Sequence, residues 1–133
     1  MFGLFKSKQP TPGRGLYLVN VKVARGSNTR MPRSLAGAYV SAYVTANNDE
    51  AATTLAVTRL TAQGYEFLDT QGPITRLDHR QWSAHVAQSW PEFIDELPKQ
   101  NEIAEGLQGE MVFFGPFVGY ERAQRVDQPV APR

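Results

Sequence analysis

Two stretches in the first third of the chain alternate apolar and polar residues with a period of two, which is typical of β-strands. The first is GLYLVNVKVA, residues 15–24, and the second is GAYVSAYVTAN, residues 37–47. One side of the second stretch is small and apolar, whereas the other side carries Tyr39, Ser41, Tyr43 and Thr45. Because about a dozen residues join the two stretches, an antiparallel pair is predicted.

The segment that follows, residues 46–69, predicts a capped helix and then a further strand. With Asn47 as the N-cap, Glu50 falls at the third helical position, which is the spacing of a capping box. Apolar residues then recur at helical spacing. Gly64 offers the left-handed residue that ends many helices, and the strand begins directly after it.

The second half of the chain predicts short helices and a last strand. Asp78 is a predicted N-cap, and Pro91 suits the first turn of a new short helix. The stretch EMVFFGPFVGYE, residues 110–121, predicts a strand with an edge or bulge at its Gly-Pro pair. The order of elements predicts an α+β fold, with a mostly antiparallel sheet of about four strands and helices packed on one face, and a ferredoxin-like arrangement is one candidate.

A chain of 133 residues fits one domain. We predict a flexible N-terminal segment at 1–15, a single α+β domain at 16–122 and a disordered C-terminal tail at 123–133. The N-terminal MFGLF precedes Lys6 and Lys8, so it is either a frayed terminus or a weak contact with a membrane surface. No apolar run reaches the roughly 20 residues that a transmembrane helix needs.

Composition indicates a redox compartment and shows an uneven distribution of charge along the chain. The chain has no cysteine, which rules out disulfides and thiolate chemistry and favours a reducing, cytoplasmic location. Residues 1–48 carry seven basic residues and no acid, whereas residues 92–110 carry six acids against Lys99 alone. Such a layout predicts either partners of opposite charge or two segments that lie together in the fold.

Motifs for catalysis, cofactors and metals are missing from the sequence. His79 and His85 are six residues apart, so one helix would point them in different directions. The chain has no glycine-rich phosphate loop and no nucleophile elbow. We predict no catalytic residue, no cofactor and no metal. A small enzyme without a recognisable motif stays an alternative, because a buried carboxylate leaves no sequence signature.

Two groups of residues are candidates for protein contacts. If helices cover the apolar side of the second strand, Tyr39 and Tyr43 lie on an open face, and exposed tyrosines are favoured at interfaces. We therefore predict a small intracellular protein-binding module that self-associates, as a homodimer, through an open sheet face or edge. Glu92, Asp95 and Glu96 form a second predicted contact, of the acidic kind that an inhibitor or immunity-type protein presents to a basic partner.

The same sheet face supports an alternative in a different class. Arg25, Arg30 and Arg33 lie in a loop beside the tyrosines, and aromatic side chains next to basic ones are typical of single-stranded nucleic-acid binders. The arginines would contact phosphates, and the tyrosines would stack on bases. The glycine and clustered aromatics of the usual RNA-binding strands are missing.

Overall fold

The structure, a computed structural model, describes residues 14–121. The predictions for the MFGLF segment, for nearly all of the flexible segment at 1–15 and for the tail at 123–133 lie outside these residues. The strands are β1 (Gly15–Ala24), β2 (Leu35–Ala46), β3 (Glu66–Thr70), β4 (Thr75–Leu77), β5 (Val112–Phe114) and β6 (Val118–Glu121). The helices are α1 (Asp49–Ala62), α2 (Trp82–Ser89) and α3 (Gln100–Gly106), with 3-10 helices at His79–Gln81 and Pro91–Glu96.

The sheet is built around the long antiparallel pair of β1 and β2. On one side β3 and β4 pair with opposite ends of β1, and on the other side β5 and β6 pair with β2. The described strands therefore fill four positions across the sheet, and these pairings are all antiparallel. The predicted α+β class with a mostly antiparallel sheet is confirmed.

The first face of the sheet carries the main core. The alternation in β1 and β2 turns their valines and alanines to this face, where α1 packs on them through Ala52, Ala56 and Leu60. Small residues on β2 let the helix approach closely, as the sequence pattern indicates. The prediction that helices cover the apolar side of the second strand is therefore confirmed.

The second face is also partly covered, which the prediction of helices on one face leaves out. The segment from α2 to α3 packs against Leu16 and Tyr43 through Trp82, Val86 and other apolar side chains. Within this segment, the indole nitrogen of Trp82 donates to the carbonyl of Pro98 at 2.7 Å. The segment covers one half of the second face and leaves the other half uncovered. We call residues 79–106 the covering segment.

The ends of α1 test the predicted cap and stop. The N-cap is Asn48, whose side chain accepts from the backbone of Ala51 at 2.8 Å, so the prediction of Asn47 is wrong by one residue. Asn48 has the extended backbone that an N-cap needs, with φ of −161°. The predicted glycine stop is confirmed, because Gly64 has a positive φ of 95° just beyond the helix.

Candidate functional site

The register of β1 and β2 maps the second face. Residues that pair across antiparallel strands share a face. On the second face the register pairs Leu18 with Tyr43, Asn20 with Ser41, and Lys22 with Tyr39. The Ser41 hydroxyl donates to the Asn20 side chain at 2.9 Å. This polar pair lies between the covered half, which contains Tyr43, and the uncovered half, which contains Tyr39.

Tyr43 lies in the covered half, and its predicted exposure is wrong. The side chain is 1% exposed. Its ring stacks on Phe113 at 5.2 Å between centroids and meets Trp82 edge-on at 5.0 Å. The alternation of β2 gives the correct face for Tyr43 but carries no information about what covers that face. Two tryptophans in the covering segment, Trp82 and Trp90, supply the cover.

The Tyr43 hydroxyl on β2 forms hydrogen bonds with His85 on α2 and with Trp90, the residue that follows this helix. Trp90 Nε1 donates to this oxygen at 2.8 Å, and His85 Nε2 lies 2.9 Å from it. Because an indole can only donate, the hydroxyl accepts from Trp90 and its own proton is free to bond His85 Nε2. Neutral His85 then carries its proton on Nδ1.

Burial opposes charge on both titratable members of this chain of hydrogen bonds. It raises the pKa of the Tyr43 hydroxyl, although the hydrogen bond from Trp90 acts in the opposite direction. Burial also lowers the pKa of His85. Both groups are therefore held in their neutral forms near pH 7.

The uncovered half presents adjacent aromatic and apolar side chains. Tyr39 is 40% exposed and Val118, its register partner on β6, is 54% exposed. The rings of Tyr39 and Tyr120 are 5.1 Å apart, and Lys22 Nζ lies 5.4 Å from the centre of the Tyr120 ring. We call these four residues the open patch. Sequence reasoning identified Tyr39 but missed Val118 and Tyr120, because nothing local shows that β6 pairs beside Tyr39.

The β3 edge exposes apolar side chains as well, but it is poorly suited to pairing. Phe67 and Leu68 are exposed on this strand. A bulge interrupts the β1 register next to Leu68, and the acidic Glu66 and Asp69 flank the two apolar residues. Bulges and charges are the devices by which natural sheets protect their edges. We therefore assign β3 a structural role.

The predicted arginine loop is anchored to the end of α1. Ser27 N donates to the carbonyl of Gly64 at 2.8 Å, and the Asn28 side chain donates to the carbonyl of Gln63 at 2.8 Å. Three arginines occupy this loop with different roles. Arg25 Nε donates to the carbonyl of Met31 at 3.0 Å, so it braces the loop, whereas Arg30 and Arg33 are exposed.

The predicted acidic residues lie on the 3-10 helix Pro91–Glu96, and all three are exposed. Asp95 and Glu96 line a groove of about 450 Å3 beside β5, whereas Glu92 is not among its lining residues. The structure thus brings two of the three acids to one place. Glu102, which was not predicted, joins them there.

Groups suited to catalysis or metal binding are sparse in the described part of the chain. Residues 14–121 hold no group of three or more His, Asp or Glu side chains that could bind a metal ion. His85 and Asp78 line a shallow groove of about 330 Å3. In the same range, no helix combines the length and the apolar character needed to cross a bilayer.

Comparison with known proteins gives no match to this chain. No protein-family model, curated protein or solved structure matches it. Functional assignment therefore depends on the open patch, the arginine loop and the acidic groove.

Proposed function

We propose that the protein is a non-enzymatic, cytoplasmic protein-binding module that self-associates through the open patch. The observation that carries this proposal is the pairing of Tyr39 and Val118, which are exposed side by side on a sheet face whose other half is covered. Tyrosines and adjacent apolar side chains are enriched at the centres of protein interfaces. Of the two tyrosines predicted to contact a partner, only Tyr39 is available, since Tyr43 is buried.

The covering segment limits how a second copy can approach. With a two-fold axis along the strands, the covering segments of two copies would meet and keep the patches apart. With an axis across the strands, each covering segment lies beyond the end of the other sheet, and the open patches meet. A closed two-fold arrangement of this kind is the commonest form of self-association.

With the axis across the strands, the side chains of the two open patches are complementary. Val118 of one copy faces Tyr120 of the other, and Tyr39 faces Gly37, over which Tyr120 leans. Lys22 and its register partner Asp69 lie at the flank of this contact. The centre of the contact is therefore aromatic and apolar, and its flank carries opposite charges.

Sedimentation equilibrium of the full chain tests self-association. We expect a dimer at high protein concentration, and we expect Val118→Glu to return the chain to a monomer because the new carboxylate would be buried without a partner. Tyr39→Ala should weaken the dimer as well, because it removes an aromatic side chain from the contact. Leu68→Glu is the matched control, since it adds the same charge at a similarly exposed apolar residue on β3.

Two results would overturn the proposal. One is a wild-type chain that sediments as a monomer at every concentration. The other is dissociation by Leu68→Glu while Val118→Glu stays dimeric, which would move the contact to β3. Circular dichroism of each variant confirms that the fold is retained.

Single-stranded nucleic acid is a second candidate, favoured by the position of the arginine loop. The loop joins β1 and β2 at the end of the sheet where Lys22 and Tyr39 pair; Arg30 lines a groove with Ala38 and Tyr65 on the first face, and Arg33 is exposed. A labelled oligonucleotide would then bind at low salt, and its affinity would fall steeply as salt rises. An absence of binding at low salt would eliminate this function.

A further inference from the structure

The edge of β5 beside the acidic groove has backbone groups with no hydrogen-bond partner in the part of the chain that the structure describes. Thr45 N donates to the carbonyl of Met111, and Gly115 N donates to the carbonyl of Ser41, both at 2.9 Å. In an antiparallel ladder, alternate residues bond to the same neighbour. Val112 and Phe114 therefore turn their N–H and C=O groups away from β2. Over residues 14–121, the pairing of β5 is with β2 alone.

The groove runs along this strand edge. Phe113 and Phe114 both line it, and successive side chains of a strand point to opposite faces. A groove that touches both must pass along the edge between the faces. The remaining apolar lining comes from Leu97, Pro98 and Met111.

The rim of the groove carries negative charge that forms no ion pair within the described residues 14–121. Over residues 14–121, the only ion pair joins Arg80 to Asp78. Asp95 and Glu96 thus have no cationic partner among these residues. Glu102 has another task, since its carboxylate accepts from Lys99 N at 2.7 Å and caps α3.

We propose that this groove binds a basic, extended peptide segment of a partner protein, which adds as a strand to β5. Its backbone pairs with Val112 and Phe114, its apolar side chains fill the groove, and its lysines or arginines meet Asp95 and Glu96. Strand addition of this kind obtains affinity from the backbone and specificity from alternate side chains. The proposal deepens the proposed protein-binding function by naming the partner's chemistry, and it uses a surface separate from the open patch.

Fluorescence anisotropy of the full-length protein with a labelled Lys-Val-Lys-Val-Lys-Val peptide tests the proposal. We expect saturable binding, and we expect the double variant Asp95→Asn with Glu96→Gln to weaken it about tenfold or more, which corresponds to about 1.4 kcal/mol. Glu92→Gln is the matched control, because it removes a carboxylate from the same 3-10 helix at a residue that does not line the groove. This control should change the affinity less than about twofold.

Two altered peptides separate strand addition from simple charge attraction. A Glu-Val repeat should not bind. A Lys-Val repeat with N-methylated backbone amides retains its charge but cannot donate hydrogen bonds to β5, so it should bind at least about tenfold more weakly. Equal binding of the methylated peptide, or equal loss with Glu92→Gln, would overturn the proposal.

The result is independent of the self-association test. Val118→Glu should bind the Lys-Val peptide as the wild type does. Loss of peptide binding in this variant would place the peptide on the open patch and overturn the proposal. Dissociation of the dimer by the double acidic variant would make a second copy the occupant of the groove, which would also overturn it. A monomeric wild type that binds the peptide would reject the first proposal and support this one.

Discussion

At the residue scale, the Tyr43 hydroxyl holds the covering segment to the sheet. It accepts from Trp90 and bonds His85, so one oxygen joins β2 to the middle of α2 and to the residue that ends this helix. Protonated His85 would present an N–H to this hydroxyl, whose own proton would then lose its acceptor in a buried place. The neutral form of His85 therefore suits the folded state.

The lowered pKa of His85 predicts that stability falls in mild acid. The folded chain binds fewer protons than the unfolded chain, in which the pKa is near 6.5. The free energy of unfolding should thus have its full value above that pH, and it should fall as the pH drops below it. Urea unfolding measured at intervals from about pH 7.5 to about pH 5 checks this expectation.

His85→Gln is the control for this pH effect, because it retains a hydrogen-bond acceptor and does not titrate. The variant should lose the part of the pH dependence that belongs to His85. Asp78 shares the groove with His85, but its pKa is lowered by hydrogen bonds from Arg80, so it stays ionised in this range. An equal slope in the wild type and the variant would contradict the account.

The sequence pattern predicted which side of β2 carries the two tyrosines, but it did not predict what surrounds each ring. The alternation of β2 correctly placed Tyr39 and Tyr43 on one side. One ring is exposed and the other is buried, because the covering segment reaches only half of that side. This difference arises from contacts more than 35 residues apart in sequence, such as the Tyr43–Trp90 hydrogen bond with its separation of 47. A period-two pattern contains no such information.

At the element scale, the two adjacent asparagines before α1 give a matched pair of variants. Asn48→Ala should lower the free energy of unfolding by about 1 kcal/mol, because it removes the side-chain bond to Ala51 N. Asn47→Ala should change it by less than about 0.5 kcal/mol. Thermal or urea unfolding of both variants checks the cap, and a larger loss at Asn47 would show that the helix begins one residue earlier.

The long elements and the short helix that begins at Pro91 were predictable, but the short strands at 110–121 were not. β1, β2 and α1 extend over ten or more residues each, so their periodicity is clear. The single strand predicted at 110–121 is in fact two, β5 and β6, which pair with separate parts of β2. Their positions depend on β2 and on Trp90, which packs over Gly115 between them. Gly115-Pro116 predicted the interruption correctly.

At the scale of the whole molecule, the length of β2 produces both proposed surfaces. β5 pairs with its Ala42–Val44 region and lies beside the covering segment, where the acidic groove forms. β6 pairs near Tyr39, beyond the reach of that segment, and contributes Val118 and Tyr120 to the open patch. The two surfaces are therefore at different places along β2 and can be occupied independently.

The most direct test of self-association is a concentration series of amide NMR spectra of the full-length protein. The account predicts that the resonances of Lys22, Tyr39, Val118 and Tyr120 move with protein concentration, and that those of Phe67 and Leu68 on the β3 edge do not. Spectra that are identical at all concentrations, or shifts confined to β3, would contradict it.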